Sequence, residues 1–221
     1  MNEHVKSRSL HLCTHTAATL LSLLLVMVFD STKATVATQQ CGSTLLQTLK
    51  LARFAQKESV DIIKTYKASQ GDMSEIICKV SLSGLPDPNI SGLESSEQMS
   101  SVHSSLQEFS PHFKRVFDQQ TDLQLPDSPL LDQLSVISRR SLYLDSQITV
   151  LYQQLFPNSP PLGADGGATS LPPPQNVFQQ KVYGCVVLKT YKEFLSNVSK
   201  YLRTLKNQMC GINARRINMF F

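Results

Sequence analysis

The most constraining feature of the chain is a long apolar period near its C-terminal end. Phe178, Val182, Cys185, Leu188, Tyr191, Leu195, Val198, Leu202, Leu205 and Met209 follow one another in steps of three and four. That spacing puts them on one stripe of a single α-helix, helix D, which must bury the stripe against other elements. Three more such stretches precede it. Leu45, Leu49, Ala52, Ile63 and Tyr66 lie on or near one stripe of helix A, which runs to about Ala68 without Gly or Pro. Helix B carries Met99, Val102, Leu106, Phe109, Phe113, Val116 and Phe117, and helix C, from Leu130 to Leu155, carries Leu134, Ile137, Leu144, Ile148, Leu151 and Leu155. Pro111 lies inside helix B, where its ring clashes with the preceding turn, so a kink near Phe109 or a helix in two pieces is expected. No stretch alternates with a two-residue period and no repeat is visible, so the expectation is an all-α domain of four long helices.

The connections constrain the order of packing. Residues 70 to 94 hold Gly71, Gly84, Pro86, Pro88 and Gly92, and residues 157 to 175 are rich in Pro and Gly, so both are long irregular links. The B–C link around Pro126 and Pro129 is short. A helix of this length spans roughly 40 Å, and an extended link of this size reaches roughly 80 Å, so the two long links can cross back over a full helix. Long, short, long is the pattern of an up-up-down-down long-chain bundle with two crossover loops, the arrangement of growth hormones and helical cytokines.

Composition supports export. Lys6 and Arg8 precede the apolar run Ala17 to Phe29, and small residues follow at Ala34 and Ala37, which is the order of a cleaved secretory signal over residues 1–37. The run of 13 residues is shorter than the roughly 20 that span a bilayer as a helix. Cleavage after either Ala34 or Ala37 fits the pattern. Cys13 falls in the signal and leaves Cys41, Cys78, Cys185 and Cys210, an even set that reads as two disulfides with three possible connectivities. In the up-up-down-down order, Cys41 and Cys210 share one end of helices A and D, while Cys78 and Cys185 share the other. The expected pairs are therefore Cys41–Cys210 and Cys78–Cys185, the alternatives having to bridge most of the bundle length. Two sequons, at Asn89 and Asn197, are candidate glycosylation sites in an extracellular domain 38–221.

Chemistry is sparse. Outside the signal, only His103 and His112 remain, and with the scattered carboxylates they form no triad, paired acid or metal-ligand spacing. Both histidines are expected to be solvated, and the chain is expected not to be an enzyme and to need no cofactor or metal. Removing residues 1–37 leaves 18 basic and 15 acidic residues, a balance that does not point to nucleic acid. No later stretch is apolar enough for membrane insertion, and a monomer is expected.

Residues 176–195, NVFQQKVYGCVVLKTYKEFL, carry Phe178-x-x-Lys181-x-x-Gly184-Cys185 followed by Tyr191-Lys192. This resembles the start of the fourth helix in cytokines of the leukaemia inhibitory factor and ciliary neurotrophic factor type, within the interleukin-6 superfamily. A weaker echo lies at Tyr66 to Asp72 with Cys78 beyond it. The tail Gly211 to Phe221 has no counterpart in that pattern. The resemblance implies a secreted cytokine that brings together class I receptors and starts Janus kinase–STAT signalling. It implies that Phe178 and Lys181 engage a receptor of the leukaemia inhibitory factor type, and that a second face on helices A and C engages a glycoprotein 130 type subunit.

The residues themselves allow two readings at each position. Phe178 with Lys181 three residues on has the composition of an interface hot spot, or Phe178 caps the core as the first member of its stripe. Gly184 costs about 1 kcal/mol relative to Ala within a helix, which hints at close packing or marks a tolerated glycine. Phe54 lies nine residues from Leu45, about 180° round the helix, so it faces outward with Gln47 and Lys50, as part of a second receptor face or beneath the A–B connection. A lipid carrier built of amphipathic helices is the alternative function.

Overall fold

The computed structural model describes residues 42–71, 74–163, 171–173 and 175–217, with side chains on the last helix up to Met209. Thr44–Phe221 forms one compact unit, and of the other, Met1–Ser43, only residues 42 and 43 are described. The expected signal peptide and Cys41 lie outside the described residues, as does the Cys210 side chain, so the Cys41–Cys210 pair does too. Among the described residues all regular structure is helical: α1 (residues 42–70), α2 (Ser74–Ile77), α3 (Ser95–Leu123), α4 (Pro129–Leu155) and α5 (Val177–Ile217). No described helix is long and apolar enough to cross a membrane.

Local chemistry explains the boundaries. Gly71 takes a φ of 81°, the left-handed conformation that closes a helix and that residues with a Cβ avoid, so α1 stops at Gln70. Pro129 starts α4, where its missing N–H costs no hydrogen bond, and Phe156-Pro157 ends it. Asn176 and Gln179 cap α5 reciprocally: the Gln179 N–H donates to Asn176 Oδ1 at 2.9 Å and the Asn176 N–H to Gln179 Oε1 at 3.0 Å.

Three expectations change. A helix B in two pieces is not seen, since α3 continues through Pro111. The proline removes one ladder hydrogen bond, while Phe109 and Phe113 stay buried on either side of it. Ile62, rather than Ile63, completes the buried stripe of α1; Ile63 is only partly covered. His103 and His112 are not solvated but buried, 6% and 0% exposed. His103 flanks Val102 and His112 flanks Phe113, so each borders the apolar stripe, and a partner on the facing element compensates its burial. His103 Nδ1 lies 2.6 Å from Asp145 Oδ1 of α4. His112 Nδ1 lies 2.6 Å from the Tyr183 hydroxyl of α5.

The core is one cluster fed by all four long helices. At its centre Tyr191 meets Phe113 and Phe109 edge-on, with ring centroids 4.7 and 5.0 Å away, and Phe194 sits 5.4 Å from Phe109. Such pairs add about 0.5–1.5 kcal/mol each beyond the area they bury. The connection before α3 is tied to α5 by Asn197, whose Nδ2 donates to the Pro88 carbonyl at 3.0 Å, and the first residue of α3 by the Tyr201 hydroxyl, which donates to the Ser95 carbonyl at 2.6 Å.

Burial holds His112 below the ordinary imidazole range and pushes the Tyr183 hydroxyl up to about 12. The folded state therefore takes up the imidazole proton less readily than the unfolded chain. Stability is lost as pH falls through the unfolded value near 6.5, at up to about 1.4 kcal/mol per pH unit. Thermal unfolding is expected to show a lower Tm at about pH 5 than at about pH 7. His112→Gln, which can still bond Tyr183 but does not titrate, should flatten that difference relative to the wild type.

Candidate binding surfaces

The head of α5 presents the first surface. Phe178 belongs to the apolar period, yet it is 52% exposed, and Val177 beside it is 53% exposed. The buried stripe begins only at Val182, and the described residues cover Phe178 only in part. Its ring lies along a groove of about 380 Å³ lined by Val80 and Leu82 of the long connection, Pro172 and Pro173. Val80 and Leu82 are themselves exposed, so Phe178 belongs to an apolar patch assembled from two segments far apart in sequence. Sequence reasoning missed the contribution of the connection, whose apolar residues follow no period.

Lys181 shares the face of Phe178, three residues on. Its ammonium donates to the Gln70 carbonyl at 3.4 Å, at the C-terminal end of α1, where unpaired carbonyls and the helix dipole favour a cation. Beneath it the Tyr66 hydroxyl donates to the Lys181 carbonyl at 3.0 Å and accepts from Gln120 Nε2 at 3.2 Å, while Gln70 Nε2 donates to Gln120 Oε1 at 3.0 Å. This buried network joins α1, α3 and α5 under the head of α5 and fixes where Phe178 and Lys181 project. Burial pushes the Tyr66 hydroxyl well above its usual range, so it remains a donor.

Gly184 makes the network possible. A Cβ at this position would fall on the Tyr66 ring, 2.7 Å from Cζ and 2.9 Å from Cε2, with the hydroxyl closer still. Of the two readings of Gly184, close packing is the one the geometry supports. The neighbouring Cys185 is joined to Cys78, with Cα atoms 5.3 Å apart, which ties the long connection to α5 at the same level.

The second surface lies on α1. Gln47, Lys50 and Phe54 are all exposed, Phe54 at 48%, and the A–B connection does not cover them. Phe54 does not stand alone. The Arg140 guanidinium of α4 lies over its ring, 4.7 Å from the centroid, and is itself held by Glu58 through two hydrogen bonds of 2.9 and 3.0 Å. The bidentate pair fixes Arg140, and the cation–π contact fixes the ring. Elsewhere on α4, Leu142 and Tyr143 are each 54% exposed and Val150 is 42% exposed. The signal that could have found them is in the sequence: Leu142 and Tyr143 fall out of phase with the stripe through Leu144, Ile148 and Leu151.

The two sequons stand in different surroundings. Asn89 is exposed on the long connection, with its Nδ2 donating to Asp87 Oδ1, whereas Asn197 is half-buried and its Nδ2 is engaged by Pro88. Among the described residues no cluster of three His, Cys, Asp or Glu side chains could hold a metal ion. No family model, no curated protein and no solved structure matches the chain.

Proposed function

We propose that the chain is a secreted long-chain helical cytokine, folded up-up-down-down with two long crossover loops, that brings together receptors of the leukaemia inhibitory factor receptor and glycoprotein 130 type and so activates Janus kinase–STAT signalling. The observation that carries the reading is Phe178: a large aromatic in phase with the core stripe, left half-exposed on a capped helix end, beside a lysine anchored in place. Rigid aromatic and cationic side chains of this kind are what interface hot spots are made of. The topology is supported by contact order. Ser95 meets Tyr201, Phe109 meets Phe194 and Phe113 meets Tyr191, an inverse order expected of antiparallel α3 and α5. Gln70 meeting Gln120 brings the ends of α1 and α3 together, as parallel helices would. The alternative, a lipid carrier, needs apolar helix faces free for acyl chains, whereas those of α1, α3, α4 and α5 are buried against one another.

The test is a pull-down of both receptor ectodomains by the chain lacking residues 1–37. Binding to neither would overturn the proposal. A Lys50→Glu, Phe54→Ala variant is expected to keep the first receptor, because both positions lie far from the head of α5, and yet fail to signal. It should also compete with the wild type, since occupying one receptor without recruiting the other blocks assembly. Normal signalling, or loss of both receptors together, would remove the second face from the scheme.

A further inference from the structure

Charge is distributed very unevenly over the helices. α1 and α5 hold thirteen of the 21 Lys and Arg residues and only three of the 17 Asp and Glu residues, while α3 and α4 hold four basic and six acidic. A net charge of +4 therefore conceals a polar molecule.

The basic residues also fall on one flank. On α1, Lys50, Arg53, Lys57 and Lys64 recur at intervals of three, four and seven, within an arc of about 60°. Glu58, which engages α4 through Arg140, lies 80–140° round from these four, and Phe54, beneath Arg140, 40–100° round, so the arc faces solvent beside the α4 contact. On α5, Lys189, Lys192, Lys200, Arg203 and Lys206 span an arc of about 120°. Phe194 and Tyr201 of the same helix contact α3 and its first residue; Lys192 and Arg203 are each two positions away from one of these, about 200° round, and so turn away from α3. α1 and α5 touch directly through Tyr66, Lys181 and Gly184. Tyr66, through which α1 touches α5, lies 140–180° round from the α1 arc, so that arc faces outward; the two arcs lie on the outer faces of two helices in direct contact, an outer α1/α5 flank that neither candidate receptor surface uses apart from Lys50 at its edge. Lys50, Arg53, Lys57, Lys189, Lys200 and Arg203 are exposed, and none of them makes an ion pair with a described residue.

We propose that the α1/α5 flank is a binding surface for a linear sulfated polysaccharide of the glycosaminoglycan type. Two parallel files of cations about 20–25 Å long, on helices packed about 10 Å apart, match an extended chain that carries an anion on every sugar or two. Lysines predominate, and a lysine is a compact point charge suited to sulfate oxygens. Between residues 50 and 64 of α1 and residues 189 and 206 of α5 the exposed large apolar side chains are Phe54, on the α4 flank, and Val60. The flank therefore has little to insert into a bilayer and no free aromatic on which to stack a base. The choice of polyanion rests on the extracellular reading above; the charged flank does not.

Binding of a heparin oligosaccharide to the chain lacking residues 1–37 is the test, with the desulfated oligosaccharide, a short duplex DNA and phosphatidylserine vesicles as rival ligands. Lys57→Glu with Arg203→Glu should weaken heparin binding by at least about tenfold at physiological ionic strength, and flatten its dependence on salt. The control pair Lys114→Glu with Arg139→Glu makes the same change in net charge on α3 and α4, and should cost less than about threefold. Equal losses in the two pairs, equal binding of the desulfated oligosaccharide, or tighter binding of DNA or vesicles would each overturn the inference. If a charge-reversed pair loses helical signal, Lys57→Gln with Arg203→Gln decides in its place. A chain that binds heparin but neither receptor ectodomain keeps this inference and loses the receptor reading, and the converse result separates them in the other direction.

Discussion

Gly184→Ala is expected to destabilise the fold by about 2–3 kcal/mol, although alanine is the better helix former. Helix propensity alone favours the substitution by up to about 1 kcal/mol. Against it stands the Tyr66 ring, which is fully buried and lies where the new methyl group would go, with Cζ at 2.7 Å. A hydroxyl at the end of a flexible side chain could swing aside; an aromatic ring closed in by the core cannot move without shifting α1 away from α5. That shift would also break the bonds from Tyr66 to the Lys181 carbonyl and from Gln120 to Tyr66, each worth about 1 kcal/mol net. Equilibrium unfolding in denaturant would measure the loss. Tyr66→Phe removes the atom nearest the methyl group, so the double variant should be more stable than the sum of the single effects predicts, a coupling that a double-mutant cycle reads directly. A Gly184→Ala variant as stable as the wild type would show that α1 and α5 separate without cost at this point, and the network beneath the α5 head would then not be what positions it.

How far these features can be read from sequence depends on whether a residue's environment is periodic. The stripe from Val182 to Leu205 is buried as its steps of three and four require, because one helix face meets one core. Ile62 and Ile63 show where the rule blurs: both lie near the edge of the stripe, and packing against neighbouring helices chooses between them. Spacing misplaces the histidines because burial of a polar ring depends on a partner on another element, Asp145 for His103 and Tyr183 for His112, and the period of one helix carries no information about that partner. The same reasoning applies to Phe54. Its outward direction follows from 100° per residue, whereas Arg140 stacked upon it comes from α4, 86 positions along the chain. The groove beside Phe178 is the extreme case, since Val80 and Leu82 reach it from a connection with no period at all, tied to α5 by the Cys78–Cys185 bond. Gly184 stands out in the sequence as an unfavourable residue in a helix, but only Tyr66, on another helix, supplies the reason.

The largest expected effect on binding comes from the head of α5. Phe178→Ala is expected to weaken binding to a receptor of the leukaemia inhibitory factor receptor type by 2 kcal/mol or more, about thirtyfold, while changing stability by less than about 1 kcal/mol. The two measurements separate the roles the residue could have. A buried Phe truncated to Ala costs about 3–5 kcal/mol of stability, which for a chain of this size would lower Tm by many degrees. Phe178 is half-exposed against a shallow groove, so its removal leaves no closed cavity and the fold should notice little. Lys181→Ala should also weaken binding, for two combined reasons: the receptor loses a cation, and the end of α1 loses the group that satisfies the Gln70 carbonyl. Lys181→Arg keeps the charge but presents a broader, planar head in place of a compact ammonium, so it should recover part of the affinity and not all of it. Surface plasmon resonance on the immobilised ectodomain, paired with thermal unfolding of the same preparations, gives both quantities. A Phe178→Ala protein that unfolds several kcal/mol more easily would assign the ring to the core, and unchanged affinity in a stable variant would take the α5 head out of the receptor contact. Because the ring and the ammonium project from one helix face over one buried network, their combined loss should be smaller than the sum if both contact the same receptor pocket, and additive if they contact separate parts of it.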